Sequence, residues 1–328
     1  MEDAAMKFAL LTVSYSGLFY SGKALSLEQQ IYKAKELGFD ALSIETKRPV
    51  ASPLDLSRSD RMRIKEIAAS EGIALCAIES LSDFSGRHME ERENNLAMMQ
   101  YVLELARDLG VALVKIFAAW PGIIDDEEEI ALYGQFDRTP YYKRLYPDDL
   151  RKWDRAVKGI REVAKKATDL GITLALQNHA PVIRPGYEDV LAMMNEIDRP
   201  NVKICLDVPL FYERQSDEYI HEAIAHCGEH TLLTHFGAWN FSQNEDGEIV
   251  EDPSPSFGGK TNYKTFFSLL QQSGYDGYYV SEYCLPAVRN HRIMGIEEID
   301  TANKLSLQYI KDLMKQDEPA KGKRKVVL

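Results

Sequence analysis

Gln177, Asp207, His235 and Glu282 offer an amide oxygen, an imidazole nitrogen and two carboxylates, a donor set that suits one divalent cation. Their separations of 30, 28 and 47 residues form no local motif. Each nevertheless falls near the C-terminal end of a short apolar run, in "ITLALQNHA", "VKICLDVPL", "LLTHFGAW" and "YYVSEYC". A parallel strand–helix architecture presents its chemistry at those ends, so consecutive strands would aim all four side chains at one volume. Taken singly, each has a plainer reading. Asp207 and Glu282 suit helix caps or ion pairs, His235 a hydrogen-bonded core histidine, and Gln177 a strand-end polar group. Their joint placement at successive strand ends favours a metal or polar active site.

Positioning them requires strands, and eight runs qualify: 7–15, 41–46, 74–79, 112–119, 173–178, 202–208, 232–238 and 278–283. Helical patterns lie between them. Residues 26–37 open with the capping pair Ser26 and Gln29, carry Leu27, Ile31, Ala34 and Leu37 on one stripe, and stop at Gly38. "SEGIAL", "DLGVAL" and "DLGITL" repeat that ending, with "QSGYDGYYV" as a looser version. Strict alternation implies right-handed parallel crossovers, and eight units close a (β/α)8 TIM barrel. An open doubly wound sheet ranks second, because "SYSGLFYSGKALS" after the first strand lacks GxGxxG spacing. We expect one catalytic domain over residues 1–316 and a flexible tail over 317–328. Long loops after strands four (120–148) and seven (239–260) are candidate lids.

The formal charge of -12 disfavours a nucleic-acid partner, which needs clustered Lys and Arg to release counterions. "KGKRK" at 321–325 is the only basic cluster and reads as part of the tail. No apolar stretch reaches the roughly 18 residues of a bilayer span. Acidic residues precede the first apolar run, unlike a secretory signal, so a cytoplasmic enzyme without membrane contact is expected. Cys76, Cys205, Cys227 and Cys284 lack CxxC spacing and read as buried free thiols. A Met- and Leu-rich stripe at 88–109 permits a homo-oligomer but is equally explained by core packing.

With these runs in view, the chain resembles the xylose-isomerase-like barrel superfamily of sugar-phosphate isomerases and epimerases over about residues 7–315. Ketose 3-epimerases, hydroxypyruvate isomerase and inosose dehydratase belong to it. The resemblance implies a Glu ending strand five, an Asp ending strand six, a His ending strand seven and a Glu ending strand eight, together holding Mn²⁺ or a similar ion. "LALQNH" resembles the family's "LALENH", and the other three runs match. Metal ligands Gln177, Asp207, His235 and Glu282 follow, with Mn²⁺ first and Mg²⁺, Co²⁺ or Zn²⁺ as alternatives.

Gln177 is the informative departure. An amide brings no charge, so Asp207 and Glu282 would only cancel a divalent ion, whereas the family's set leaves one negative charge in excess. The change also removes one of the two Glu bases that the resemblance implies for two-face proton exchange. A reaction needing one carboxylate base gains weight. His179, two residues after Gln177, would share its face on an extended strand and could accept a proton or hold a substrate hydroxyl. Lys115 could balance an enolate or pair with Glu79; Glu45 and Glu79, ending strands two and three, are substrate-binding candidates. Trp120 and Trp239 could stack on a sugar's C–H face, as could Phe19, Tyr15 and Tyr141. Arg289, with His291 and Arg292, lies on the loop after strand eight, and Arg184 after strand five.

The leading expectation is a divalent-metal-dependent isomerase or epimerase that enolises a keto-sugar, with Glu282 or His179 as base and Lys115 opposing the developing charge. Gln177 keeps a lyase or dehydratase acting by β-elimination on a 3-keto sugar or glycoside as the alternative. A non-catalytic sugar-binding barrel ranks third. The apurinic endonucleases that share this barrel resemble a three-metal site with further histidines. Strands two to four here end without histidine.

Overall fold

Ser26 and Ser57 each accept a hydrogen bond from the backbone three residues on, while Gln29 and Asp60 bond back to the serine N–H. Two reciprocal capping boxes therefore start helices α1 (Leu27–Leu37) and α2 (Arg58–Glu71). Gly38, Gly72 and Gly110 end α1, α2 and α3 (Met89–Leu109) in the left-handed conformation, with φ of 83°, 72° and 77°. At each of these turns the chain drops straight from helix into strand.

The computed structural model describes residues 6–120, 151–252 and 259–315. Eight parallel strands close a barrel: β1 (Lys7–Leu11), β2 (Ala41–Glu45), β3 (Ala74–Glu79), β4 (Leu113–Ile116), β5 (Thr173–Gln177), β6 (Val202–Cys205), β7 (Thr231–Gly237) and β8 (Tyr278–Glu282). β1 pairs with both β2 and β8, which removes every edge. The remaining helices of the described residues are α4 (Lys152–Asp169), α5 (Glu188–Ile197), α6 (Asp217–Cys227), α7 (Tyr263–Gln272) and α8 (Ile296–Lys315). The expected single-domain TIM barrel is the architecture found.

Burial explains why the strands read as continuous apolar runs. β2 is buried at every residue, since its inner face fills the barrel and its outer face meets the helices. The helices carry one apolar stripe each, such as Ala156, Val157, Ile160, Val163, Ala164 and Ala167 on α4. In α3 the same logic buries Met99, Val102, Leu103, Leu105, Ala106 and Leu109, while Met89, Met98 and Tyr101 face outward. No helix among the described residues is long and apolar enough to cross a membrane. The four cysteines are free.

Three strands stop earlier than their apolar runs suggest, β4 among them, which ends at Ile116 although residues 117–119 stay buried. Residues 12–15 form a 3-10 turn after β1, and β6 ends at Cys205, with a second such turn over Val208–Phe211. Both segments are buried, so hydrophobicity continues while the ladder does not. Side chains take over there: Thr12 Oγ1 accepts from Glu45 N–H at 2.8 Å, and Ser14 Oγ from Tyr283 N–H at 3.1 Å. The loop after β7 includes a hairpin, Phe241–Gln243 with Ile249–Glu251, whose Phe241 ring lies 4.7 Å from that of Tyr309 on α8. Most of the loop after β4, including Tyr141, and the tail over 317–328 lie outside the described residues.

Candidate metal centre and active site

β5, β6, β7 and β8 are consecutive around the barrel, and the inward side chains at their ends meet at one nitrogen. His235 Nδ1 lies 3.0 Å from Asp207 Oδ2, 3.3 Å from Gln177 Nε2 and 3.8 Å from Glu282 Oε2. The structure therefore gathers the four residues singled out as ligands. Asp207, His235 and Gln177 are buried, whereas Glu282 keeps 25% of its side chain exposed and faces the opening.

Asp207 sits two residues beyond β6, where regular pairing no longer holds it. Asn178 compensates by accepting from Asp207 N–H at 2.8 Å and donating to its carbonyl at 3.1 Å. Asp207 Oδ1 accepts from the His235 backbone at 2.7 Å and lies 3.6 Å from the Cys205 thiol. That leaves Oδ2 turned toward His235 Nδ1 and the Gln177 amide, which donates to it at 2.5 Å. Cys205, Asp207 and His235 offer ligand atoms within 4.8 Å of one another. The thiol touches the aspartate oxygen that points away from the other donors.

The far side of the imidazole is equally defined. Glu79 Oε1 accepts from His235 Nε2 at 3.1 Å and from Ser43 Oγ at 2.5 Å, while Glu79 Oε2 lies 3.2 Å from Lys115 Nζ. Glu45, Glu79 and Lys115 stand in register on β2, β3 and β4. They form one charged layer inside the barrel. The Lys115 ammonium also lies 3.7 Å above the Phe117 ring.

Electrostatics ask for a cation here. Burial works against the imidazolium, yet Asp207 and Glu79 outweigh it and hold the His235 pKa well above its ordinary value. Burial likewise opposes ionisation of Glu79, but His235 and Lys115 win and bring that carboxyl down to about 2. Burial raises Glu282; His235 pulls back, and the negative charges of Asp207 and Glu79 add to the rise. Glu45 is pushed up to about 7, chiefly by burial, against the pull of Lys47 and Lys115. Positive charge on His235 is the protein's own answer to a surplus of carboxylates. A divalent ion beside Nδ1 would balance the same carboxylates, and the buried Gln177 Oε1, which has no hydrogen-bond partner among the described residues, is a donor in reserve. The donor set thus fits a divalent cation.

Other sequence candidates fall around this centre. β5 ends at Gln177, so His179 does not continue its alternation. Its Nδ1 donates to the Ala180 carbonyl at 2.5 Å, which leaves the basic lone pair of the neutral ring on Nε2. The ring packs edge-on against Phe117 at 4.9 Å and lies 5.3 Å from Trp120. Phe117 and Trp120 stack at 4.7 Å, so three rings and Lys115 form one wall. Trp239 lies over Gly237, where an added Cβ would come within 2.8 Å of its ring. Arg289 is 63% exposed and paired with Glu298 at 2.8 Å; Arg184 is paired with Asp189. Tyr15 donates to Asp300 at 2.6 Å, and Phe19 is buried in the core. Sequence reasoning missed Ser43, Asn178 and the proximity of Cys205 to Asp207. Only Cys205 carried a signal: it stands two residues before Asp207 on the same strand run.

Residues 31–309 match the family model described as a xylose isomerase-like TIM barrel. The chain belongs to that family. Within this xylose isomerase-like group, it is 24% identical over 279 residues to a ketose 3-epimerase of Arthrobacter globiformis, covering 83% of each chain. It is 28% identical over 222 residues to a D-psicose 3-epimerase of Ruminiclostridium cellulolyticum, covering 64% of this chain and 66% of the relative. Its fold is similar to that of D-psicose 3-epimerase from Clostridium cellulolyticum H10 solved with D-tagatose, with TM-score 0.67, 20% identity, and 95% and 100% of the two chains covered. It is also similar to a 3-keto-D-glucoside 4-epimerase from E. coli, with TM-score 0.64, 17% identity, and 94% and 100% covered. Sugar epimerases are thus among the relatives of this xylose isomerase-like barrel, as the sequence led us to expect.

Proposed function

We propose that this barrel is a divalent-metal-dependent sugar epimerase or isomerase acting on a keto-sugar. The observation that carries the reading is the convergence of Asp207, Glu282 and Gln177 on Nδ1 of His235 at the C-terminal ends of four neighbouring strands. The curated epimerase relatives support the reaction class. Manganese is the first choice of ion, with magnesium, cobalt or zinc as alternatives. A divalent ion in this place supplies the electrophile that polarises a carbonyl and acidifies the neighbouring C–H.

The chain's own groups then divide the remaining work. Glu282 takes the proton, being the one carboxylate of the four-residue centre open to the mouth. His179 is the second proton carrier, through Nε2. Trp120 and Phe117 shape the wall beside it, and Trp239 covers Gly237 at the end of β7. Arg289 is tied to Glu298, and Arg48, Arg184 and Arg214 on other loops are likewise paired with carboxylates, so these four arginines among the described residues lend a phosphorylated sugar no support. A small-molecule sugar is the proposed partner, with neither nucleic acid nor membrane and with room for a homo-oligomer, and the cytoplasm is the proposed compartment.

One observation favours a second reading. Gln177 donates its amide hydrogen to Asp207 and cannot act as a base, so only one carboxylate remains to serve the C–H bond. β-Elimination from a 3-keto glycoside needs no second base of matching strength. Incubation with Mn²⁺ in D₂O separates the two. Deuterium entering next to the carbonyl of D-fructose or D-psicose, with appearance of the epimer, supports the first reading. Release of the leaving group from a 3-keto glycoside without epimer supports the second. No exchange and no release with either class leaves a sugar-binding barrel.

A further inference from the structure

Glu79 makes three contacts that together determine how His235 stands. It is wholly buried, and its Oε1 lies 3.1 Å from Nε2 of the imidazole. A carboxylate only accepts, so Nε2 must carry hydrogen. The neutral ring therefore keeps its lone pair on Nδ1, the nitrogen that faces Asp207, Gln177 and Glu282. Ser43 fixes the same oxygen from the β2 side, and Lys115 holds the other oxygen at 3.2 Å from the β4 side. A buried carboxylate without Lys115 would carry an unbalanced charge; with it, Glu79 stays ionised and is a strong acceptor.

We infer that Glu79, with Lys115 as its counter-charge, is a positioning residue that locks the His235 tautomer and presents Nδ1 to a divalent cation. Glu79 and Lys115 then act on the ion through His235, not through contact with a sugar. This inference rests on the proposed cation site, and it gives the charged layer of β2, β3 and β4 a function. Outer carboxylates that orient a ligating imidazole typically change metal affinity by about 10–100-fold when lost.

The test uses the full chain and two variants, Glu79→Gln and the double variant Glu79→Leu/Lys115→Met. The double variant replaces a buried ion pair by apolar groups of similar length, which a fold usually tolerates. Mn²⁺ affinity is measured by calorimetry, circular dichroism checks folding, and proton NMR of the metal-free, ¹⁵N-histidine-labelled protein follows the Nε2–H of His235, assigned to that residue by its absence in His235→Asn and told apart from Nδ1–H by its ring couplings. We expect both variants to fold and to bind Mn²⁺ about 10–100-fold more weakly, with the N–H signal lost in the double variant. Wild-type affinity in either variant overturns the inference; in the double variant it would mean that Glu79 merely neutralises Lys115. If the unaltered protein binds no Mn²⁺, the cation reading fails separately, and the N–H signal decides. Its loss in the double variant upholds Glu79 as the group that orients His235, and its persistence overturns that role.

Discussion

Glu282→Gln should lower turnover of the keto-sugar by about 10²–10⁴-fold at saturating metal, the range typical of losing a positioned general base. The substitution keeps the side chain's shape and one oxygen that can still face the cation. What it removes is the capacity to accept a proton, at the one member of the centre with 25% of its side chain exposed. Asp207 cannot substitute, because Oδ1 is committed to the His235 backbone and Oδ2 is turned inward toward Gln177 and His235. Steady-state kinetics at several Mn²⁺ concentrations make the check. A fall in kcat that added metal does not repair marks a lost base, whereas a defect repaired by metal marks a lost ligand. A variant retaining more than about a tenth of wild-type kcat would remove Glu282 from the role of base.

Gln177→Glu is the second large change, and its sign is opposite. In the present centre the Gln177 amide donates to Asp207 Oδ2. A carboxylate there would face Asp207 at hydrogen-bond distance with no hydrogen to share, so the metal-free protein should lose stability. Divalent ion would relieve that repulsion and gain a third anionic ligand. We therefore expect Mn²⁺ to bind at least about tenfold tighter, equivalent to about 1.4 kcal/mol. The melting temperature should fall without metal and rise more steeply with Mn²⁺ than it does for the wild type. The introduced carboxylate also restores a second base, so epimerisation should gain on any elimination. Calorimetry and thermal unfolding with and without Mn²⁺ read both effects; an unchanged Mn²⁺ affinity would mean that Gln177 does not adjoin the ion.

The four residues of the centre were legible because a parallel barrel converts a one-dimensional cue into a three-dimensional one. Any polar side chain that closes an apolar run sits at the C-terminal rim, and consecutive runs are neighbours. The cue has no comparable grip on partners across the barrel. Glu79 looked like a sugar-binding group because its distance from His235, 156 residues in sequence, is bridged only when the barrel closes. His179 shows a second limit: alternation places a residue on a face only while the strand lasts, and β5 ends at Gln177. The overlong reading of the first, fourth and sixth strands has the same origin, since residues 12–15, 117–119 and 206–208 remain buried after the ladder stops. Asn178 carried no signal at all, because its value lies in bonding both backbone groups of Asp207. The helix boundaries were legible for a local reason: Ser–Gln and Ser–Asp boxes and left-handed glycines are complete within a few residues.

Crystals grown with Mn²⁺ and measured at the manganese absorption edge would show whether these four strand ends grip a cation. One anomalous peak is expected at the rim of β5 to β8, within bonding distance of His235 Nδ1, Asp207 and Glu282. Empty density at that point under millimolar Mn²⁺, or a peak held by other residues, would contradict it.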